Sequence, residues 1–129
     1  FGYDPAKVVM IGDAPGDCDA AEKNGVHYYP ILVNHEKESW DEAIATAFAK
    51  LQAGEYTEYE VQKKQFGYAY PNKEYTTVTI GANTYEAIES NTGVTYLVAK
   101  TSTGNAMYVM VWSCSVADAT PLIETIVIN

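Results

Sequence analysis

The segment from Val8 to Asp17 constrains the fold of this chain more than any other, because it joins an apolar run to an acidic turn. Residues 8–11, Val-Val-Met-Ile, predict a strand covered on both faces, and such strands belong to parallel sheets flanked by helices. Gly12, Asp13 and Asp17 follow where that strand ends. Because ligands of open α/β sheets bind at the carboxyl ends of the strands, both carboxylates are placed to hold a hard cation or to face a phosphate through one.

The residues after this turn predict a helix and a second strand. The helix is expected over about residues 16–24, with Gly25 as its left-handed stop, and the strand over residues 26–33. A helix that begins here offers a second interpretation of the acids, since Asp13 or Asp17 would also serve as a cap for its N-terminus. The spacing alone leaves the metal site and the cap open.

The sequence of residues 12–17, Gly-Asp-Ala-Pro-Gly-Asp, resembles the fourth signature motif of the haloacid dehalogenase (HAD) superfamily, whose members are mostly phosphatases. The resemblance continues through residues 25–31 and 38–40 and covers residues 1–66. In that family the Gly-Asp-x-x-x-Asp turn supplies Mg²⁺ ligands. The resemblance therefore implies a Mg²⁺ site at Asp13 and Asp17 and a phosphorylated small molecule as the substrate of an intact parent enzyme.

HAD phosphatases attack with an aspartate from an Asp-x-Asp motif on the first strand of the domain, helped by a Ser or Thr and by a Lys. All of these precede the fourth motif, and seven residues precede Val8 in this chain. The resemblance thus implies a fragment of a HAD-like hydrolase, and we expect the chain alone to have little or no phosphatase activity. The run Asp17-Cys18-Asp19 has the Asp-x-Asp spacing, but it lies within the predicted helix and is not predicted to be a nucleophile motif.

Composition excludes several classes of function. The net charge is −9, with eight lysines and no arginine, which argues against nucleic acid and against an anionic membrane surface. No apolar run approaches the roughly 20 residues of a spanning helix, and no basic-then-apolar leader is present, so a cytoplasmic protein is predicted. Cys18 and Cys114 are expected to be buried or half-buried thiols, His27 a packed or surface residue, and His35 a solvent-exposed one.

The two halves of the chain differ in composition. Residues 67–129 hold ten of the twelve threonines, which favour strands, whereas residues 1–66 hold twelve of the seventeen acids. We therefore predict a mixed fold: a partial Rossmann-like α/β unit over residues 1–66, a linker over 67–74 and a β-rich α+β module of no recognised family over 75–129.

Further elements follow from periodicity and capping signals. In the first half, Ser39 and Glu42 have capping-box spacing and predict a helix that ends at residues 53–54, with an apolar face of Trp40, Ile44, Phe48 and Leu51; another helix is predicted over residues 55–66. In the second half, strands are predicted over residues 75–80, 94–100, 106–113 and 122–128, and a short helix over 83–90. One of these strands is expected to pair with residues 8–11 and cover their open edge.

The tyrosines of the second half support an alternative function. They are Tyr68, Tyr70, Tyr75, Tyr85, Tyr96 and Tyr108. Such residues either pack as strand formers or form a binding face for a sugar or a peptide. The alternative to a HAD-like hydrolase is therefore a non-enzymatic binding or structural module built on the β-rich half.

Overall fold

A computed structural model describes residues 2–129, which form a mixed α/β structure with two sheets, as the sequence predicts. The strands are β1 (Val9–Gly12), β2 (His27–Pro30), β3 (Thr76–Ile80), β4 (Asn83–Glu89), β5 (Thr95–Lys100) and β6 (Ala106–Val111). The helices are α1 (Pro15–Lys23), α2 (Glu36–Glu42), α3 (Phe48–Ala53), α4 (Glu58–Ala69) and α5 (Val116–Ile123), with a 3₁₀ turn at Pro5–Lys7 and a π-helical turn at Ala43–Ala47. The strands β1 and β2 form one parallel sheet, and β3-β4-β5-β6 form an antiparallel sheet in that order.

The chain divides into two compact units, Phe1–Val61 and Gln62–Asn129. The division falls inside α4, which continues through residues 67–69 of the segment predicted as a linker. Strand β1 pairs with β2, whereas the strands of the second unit pair among themselves. The prediction that one of those strands pairs with residues 8–11 is therefore wrong.

The first unit begins with the predicted strand–helix–strand. Strands β1 and β2 are parallel, with Val9 opposite His27 and Gly12 opposite Pro30. Because parallel neighbours need a crossover connection, α1 joins the two strands. Gly25 follows α1 with φ 64°, the left-handed conformation that the sequence predicts for the helix stop.

The helical segment Glu36–Ala53 buries a face that agrees with the predicted one only at Leu51, which is buried, and at Phe48, which packs against the same core. Its buried residues are Ser39, Ala43, Ala47 and Leu51, while Trp40 and Ile44 are exposed. Small side chains bring the helix close to the buried ring of Tyr29, whose hydroxyl donates to the Ser39 carbonyl at 2.6 Å. The predicted capping box at Ser39 is also wrong, because α2 begins three residues earlier and the Ser39 hydroxyl donates to the His35 carbonyl at 2.8 Å.

In the second unit, Asn83–Glu89 forms strand β4, so the helix predicted over residues 83–90 is wrong. Ile80 lies opposite Asn83, so β3 and β4 join through a two-residue turn at Gly81-Ala82. Asn83, the first residue of that predicted helix, instead donates from Nδ2 to the Ile126 carbonyl at 2.7 Å. Alternation places Tyr85 and Ala87 in the core beneath the sheet.

The predicted final strand over residues 122–128 is also wrong. Residues Val116–Ile123 form α5, which begins after Ser115 and contains Pro121. Ile123 is buried in the core against the antiparallel sheet, and Ile126 and Ile128 pack beside it. Apolar residues at these positions therefore serve a helix and a tail that cover the sheet.

Every helix in residues 2–129 is too short or too polar to cross a bilayer.

Candidate functional site

The two predicted metal ligands lie at a strand-to-helix corner. Strand β1 ends at Gly12 and α1 begins at Pro15, so Asp13 is in the corner and Asp17 is in the first turn of the helix. The parallel register brings Gly12 opposite Pro30, so the carboxyl ends of β1 and β2 form the same edge of the sheet. This is the edge at which the sequence predicts a ligand.

The Asp17 carboxylate folds back over the end of β1. Its Oδ2 accepts the backbone N–H of Ala14 at 3.2 Å. A Cβ on residue 12 would overlap this carboxylate and would lie 2.6 Å from the Asp17 Cβ, a separation that real Cβ atoms do not show. Glycine at position 12 is therefore what allows Asp17 to lie against the strand end.

Asp13 is exposed in the same corner, and its side chain makes no hydrogen bond or ion pair with residues 2–129. In the same part of the chain no group of three or more His, Cys, Asp or Glu side chains is arranged to hold a metal. Mg²⁺ keeps several waters and commonly uses one or two protein carboxylates, so two acids are a sufficient protein contribution. The donor set fits a hydrated Mg²⁺ ion and does not fit a fully protein-ligated cation.

Tyr28 completes the corner, and no local sequence signal predicted this role. From β2 its hydroxyl donates to the Gly12 carbonyl at 3.0 Å, which ties the end of β1 to its neighbour. Burial raises the pKa of Tyr28 to about 12, and the negative charges of the Cys18 thiolate, which forms only at high pH, and of Asp17 and Asp13 add to this shift. The phenol therefore stays protonated at neutral pH and remains a donor within the field of both carboxylates.

Cys18 follows Asp17 on α1 and is half-buried, as predicted. Burial raises the pKa of its thiol, and nearby Glu22, Asp19 and Glu58 raise it further. The thiol is therefore protonated at neutral pH and is a poor nucleophile. Cys114, which was also expected to be buried or half-buried, is exposed.

A second polar cluster, formed by Glu58, Tyr56 and His27, holds strand β2 in place. The Glu58 Oε1 atom lies 2.8 Å from His27 Nδ1 and accepts the Tyr28 N–H at 3.2 Å. Tyr56 donates from its hydroxyl to the Tyr28 carbonyl at 2.6 Å, and burial raises its pKa well above the usual range. His27 is thus a packed residue, as predicted, and fixes the strand that carries Tyr28.

His35 is half-exposed and not simply solvated. Its Nδ1 lies 3.5 Å from Glu38 Oε1, and its carbonyl accepts from Ser39 at the start of α2. It therefore belongs to the beginning of that helix and not to the corner formed by β1 and α1.

The tyrosines of the second unit do not share one environment. Tyr85 is fully buried, and the Tyr75 hydroxyl donates to the Lys63 carbonyl at 2.6 Å. Tyr70 and Tyr96 stack with ring centroids 6.1 Å apart, whereas Tyr108 is about half exposed. A binding face could include Tyr96 and Tyr108, but not all the predicted residues.

Comparison with models of protein families, with curated proteins and with solved structures found no match to this chain.

Proposed function

We propose that residues 2–61 form the Mg²⁺-binding corner of a HAD-like hydrolase that acts on a phosphorylated small molecule. The observation that carries the proposal is the Asp17 carboxylate, which lies over Gly12 at the carboxyl end of a half-buried parallel strand, with Asp13 in the same strand-to-helix corner. The spacing of the glycine and both acids is that of the family motif. The glycine of this motif has a physical reason, because a Cβ at position 12 would overlap the Asp17 carboxylate.

In this proposal Asp13, Asp17 and Tyr28 have different roles. Asp13 is the freer ligand, because its carboxylate is exposed and makes no hydrogen bond within residues 2–129. Asp17 is the positioned ligand, because the Ala14 N–H holds one of its oxygens. A bound Mg²⁺ would supply positive charge to neutralise a phosphoryl group, and the phenol of Tyr28 would keep the strand end in place.

A Mg²⁺ titration followed by NMR tests the proposal. We expect saturable shifts of the backbone amides of Asp13 and Asp17, and loss of these shifts in Asp13→Asn and in Asp17→Asn. Asp19→Asn is the matched control, because Asp19 is an exposed acid on the same helix outside the corner. Uniform weak shifts at every surface acid, unchanged by the first two variants, would contradict the proposal.

Activity is a separate question from metal binding. The proposal keeps the prediction that this chain alone has little or no phosphatase activity, because the corner supplies metal ligands and no carboxylate nucleophile is assigned in it. Turnover of a simple phosphate ester that requires Mg²⁺ and is abolished by Asp13→Asn would overturn this prediction while supporting the metal site.

The second candidate is a non-enzymatic binding or structural module in the β-rich unit. It is favoured by the aromatic group of Phe66, Tyr70 and Tyr96, since the rings of Phe66 and Tyr96 lie 5.0 Å apart at a tilted angle. Binding of a sugar or peptide that is lost in Tyr96→Ala or Tyr108→Ala, but retained in Asp13→Asn and Asp17→Asn, would support this candidate over the first.

A further inference from the structure

Strand β6 is an edge of the antiparallel sheet that carries no charge. The chain has a net charge of −9, yet residues 101–117, which include all of β6, contain no Asp, Glu, Lys or Arg. Exposed edges of sheets are commonly protected by charged side chains, by proline or by bulges, because their free backbone groups attract other strands. The register of β6 with β5 is continuous over six residue pairs, without a bulge.

The direction of the free backbone groups follows from two hydrogen bonds at the ends of β5. Thr101 N–H donates to the Asn105 carbonyl at 3.0 Å, and on the other side Ser90 N–H donates to the Val94 carbonyl at 2.7 Å. With the observed register, both make Leu97 and Val109 a hydrogen-bonded pair. The even-numbered residues of β6 therefore turn their N–H and C=O groups away from β5, where residues 2–129 offer them no partner.

Exposed apolar side chains lie at even-numbered positions of β6 and at Trp112 directly after it. Tyr108, Met110 and Trp112 are 48%, 60% and 76% exposed, whereas Met107 and Val109 pack against the core beneath the sheet. An open row of backbone groups thus coincides with an exposed apolar row. Such an edge accepts another extended, uncharged strand.

We propose that β6 pairs with β6 of a second copy of this chain, antiparallel and around a two-fold axis at Val109. The two four-stranded sheets then form one continuous sheet of eight strands. The inference rests on residues 101–117 and does not depend on the proposed metal site.

The sequence of residues 106–112 is complementary to itself in this register. Ala106, the smallest residue of the segment, lies opposite Trp112, the largest, and Tyr108 lies opposite Met110, which brings a sulfur beside an aromatic ring. On the core face, Met107 lies opposite Val111 and Val109 lies opposite its own copy. The paired segment ends naturally at residue 112, because Ser113 has φ 62° and leaves the extended conformation.

Pairing of β6 with β6 of a second copy explains this edge better than pairing of β6 with β3, the strand at the opposite edge of the sheet. Strand β3 exposes threonines, and pairing β3 of one copy with β6 of another would leave a free edge at each end and repeat without closing. Pairing β6 with itself buries both uncharged edges and closes. The absence of charge matters because two molecules of the same net charge repel each other elsewhere.

The oligomeric state of the full chain tests the proposal, measured by light scattering after gel filtration and by sedimentation over a range of concentrations. We expect a dimer that dissociates on dilution. Tyr108→Glu and Met110→Lys should each give a folded monomer, because each leaves a charge opposite an apolar partner. The double variant should restore the dimer, because the new carboxylate at position 108 then lies opposite the new ammonium group at position 110 of the other copy, in both symmetric pairs. Thr79→Lys on β3 should leave the dimer unchanged.

Three results would overturn the proposal: a wild-type chain that is monomeric at every concentration, a polymer that grows without limit, or a folded double variant that stays monomeric. Amide hydrogen exchange supplies a measurement that needs no substitution. The amides of Tyr108 and Met110 should exchange more slowly in concentrated than in dilute solution, and equal rates at both concentrations would equally overturn the pairing.

Discussion

Both α1 and α5 have an aspartate as their third residue, and the surroundings of these two carboxylates differ. In α1, Asp17 accepts the Ala14 N–H at 3.2 Å, and in α5, Asp118 accepts the Ser115 N–H at the same distance. In α5 the Ser115 hydroxyl also donates to Asp118 at 2.6 Å and accepts the Asp118 N–H, which completes a capping box.

The residue at the N-cap makes the difference between these two carboxylates. Ala14 has no hydroxyl, so Asp17 receives only the backbone contact, and its carboxylate lies over Gly12 in the corner that also contains Asp13. Asp118 is held by two groups of its own helix cap and serves that cap alone. The comparison shows that capping geometry by itself does not distinguish a structural acid from a candidate ligand, whereas the acid's remaining partners do.

The largest expected difference between the two acids concerns Mg²⁺. Asp17→Asn should remove the saturable Mg²⁺ shifts at the corner, because amides are weaker ligands for this hard cation than carboxylates. Asp118→Asn should leave the shifts at Asp13 and Asp17 unchanged. Equal effects of the two substitutions, measured in parallel NMR titrations, would break the comparison and assign Asp17 to helix capping alone.

Gly12→Ala tests the close approach between residue 12 and the Asp17 carboxylate, which has no counterpart at α5. The new methyl group would overlap the Asp17 carboxylate, so we expect a loss of about 1–3 kcal/mol in the free energy of unfolding, as for other overpacked sites, and loss of the Mg²⁺ shifts. Urea denaturation measures the first effect. The double variant Gly12→Ala/Asp17→Gly removes the clash, so most of the lost unfolding free energy should be recovered while Mg²⁺ binding is not. If the effects of the two substitutions on the unfolding free energy simply add, the contact between residues 12 and 17 is contradicted.

Exchanging the N-cap residues should make the two helices more alike. Ala14 already has the extended conformation of an N-cap, with φ −115° and ψ 150°, so Ala14→Ser should complete the box in α1. We expect it to stabilise the chain by about 1 kcal/mol, and Ser115→Ala to destabilise it by a similar amount, in thermal or urea unfolding. Ala14→Ser should also weaken Mg²⁺ binding, because a hydroxyl then engages Asp17; unchanged binding would mean that the engaged oxygen is not a ligand.

The smallest expected effect is the pH dependence of the α5 cap. The Ser115 hydroxyl and N–H lower the pKa of Asp118 below its ordinary value of about 3.9. Its stabilisation is therefore fully present above that ordinary value and is lost as the pH falls through the lowered folded-state pKa. The difference in unfolding free energy between the wild type and Asp118→Asn should be constant from neutral pH to about pH 5 and disappear in stronger acid; a difference that grows in acid would contradict this sign.

Where local signals agreed with long-range pairing, the sequence was sufficient to predict the fold. The strand before Gly12, the stop at Gly25 and the strands predicted from residues 94 and 106 all lie close to where they were expected. The corner of Asp13 and Asp17 was predictable for the same reason, since a strand, a turn and a helix follow one another within ten residues. Tyr28 was not, because its contact with Gly12 depends on the register between two strands.

The wrong predictions came from local signals that tertiary contacts overrode. Asn83 and Glu86 have the spacing of a helix start, but pairing with β3 and β5 makes the segment a strand, and Asn83 bonds to the distant Ile126. The apolar residues after Pro121 resemble a strand, yet the Ser115 and Asp118 box starts a helix upstream that includes Leu122 and Ile123 and leaves the rest in an irregular tail. A single sequence shows both signals and does not show which one long-range packing favours.

The π-helical turn at Ala43–Ala47 accommodates one residue more than a regular helix would place between Ser39 and Leu51. An ordinary helix drifts by about 40° over four residues, whereas the wider turn keeps Ser39, Ala43, Ala47 and Leu51 in one line toward Tyr29. Deleting Ala45 would shorten the segment to a regular helix without interrupting it. The shorter regular helix would turn by nearly the same total angle, so that Leu51 would still lie toward Tyr29 after the deletion.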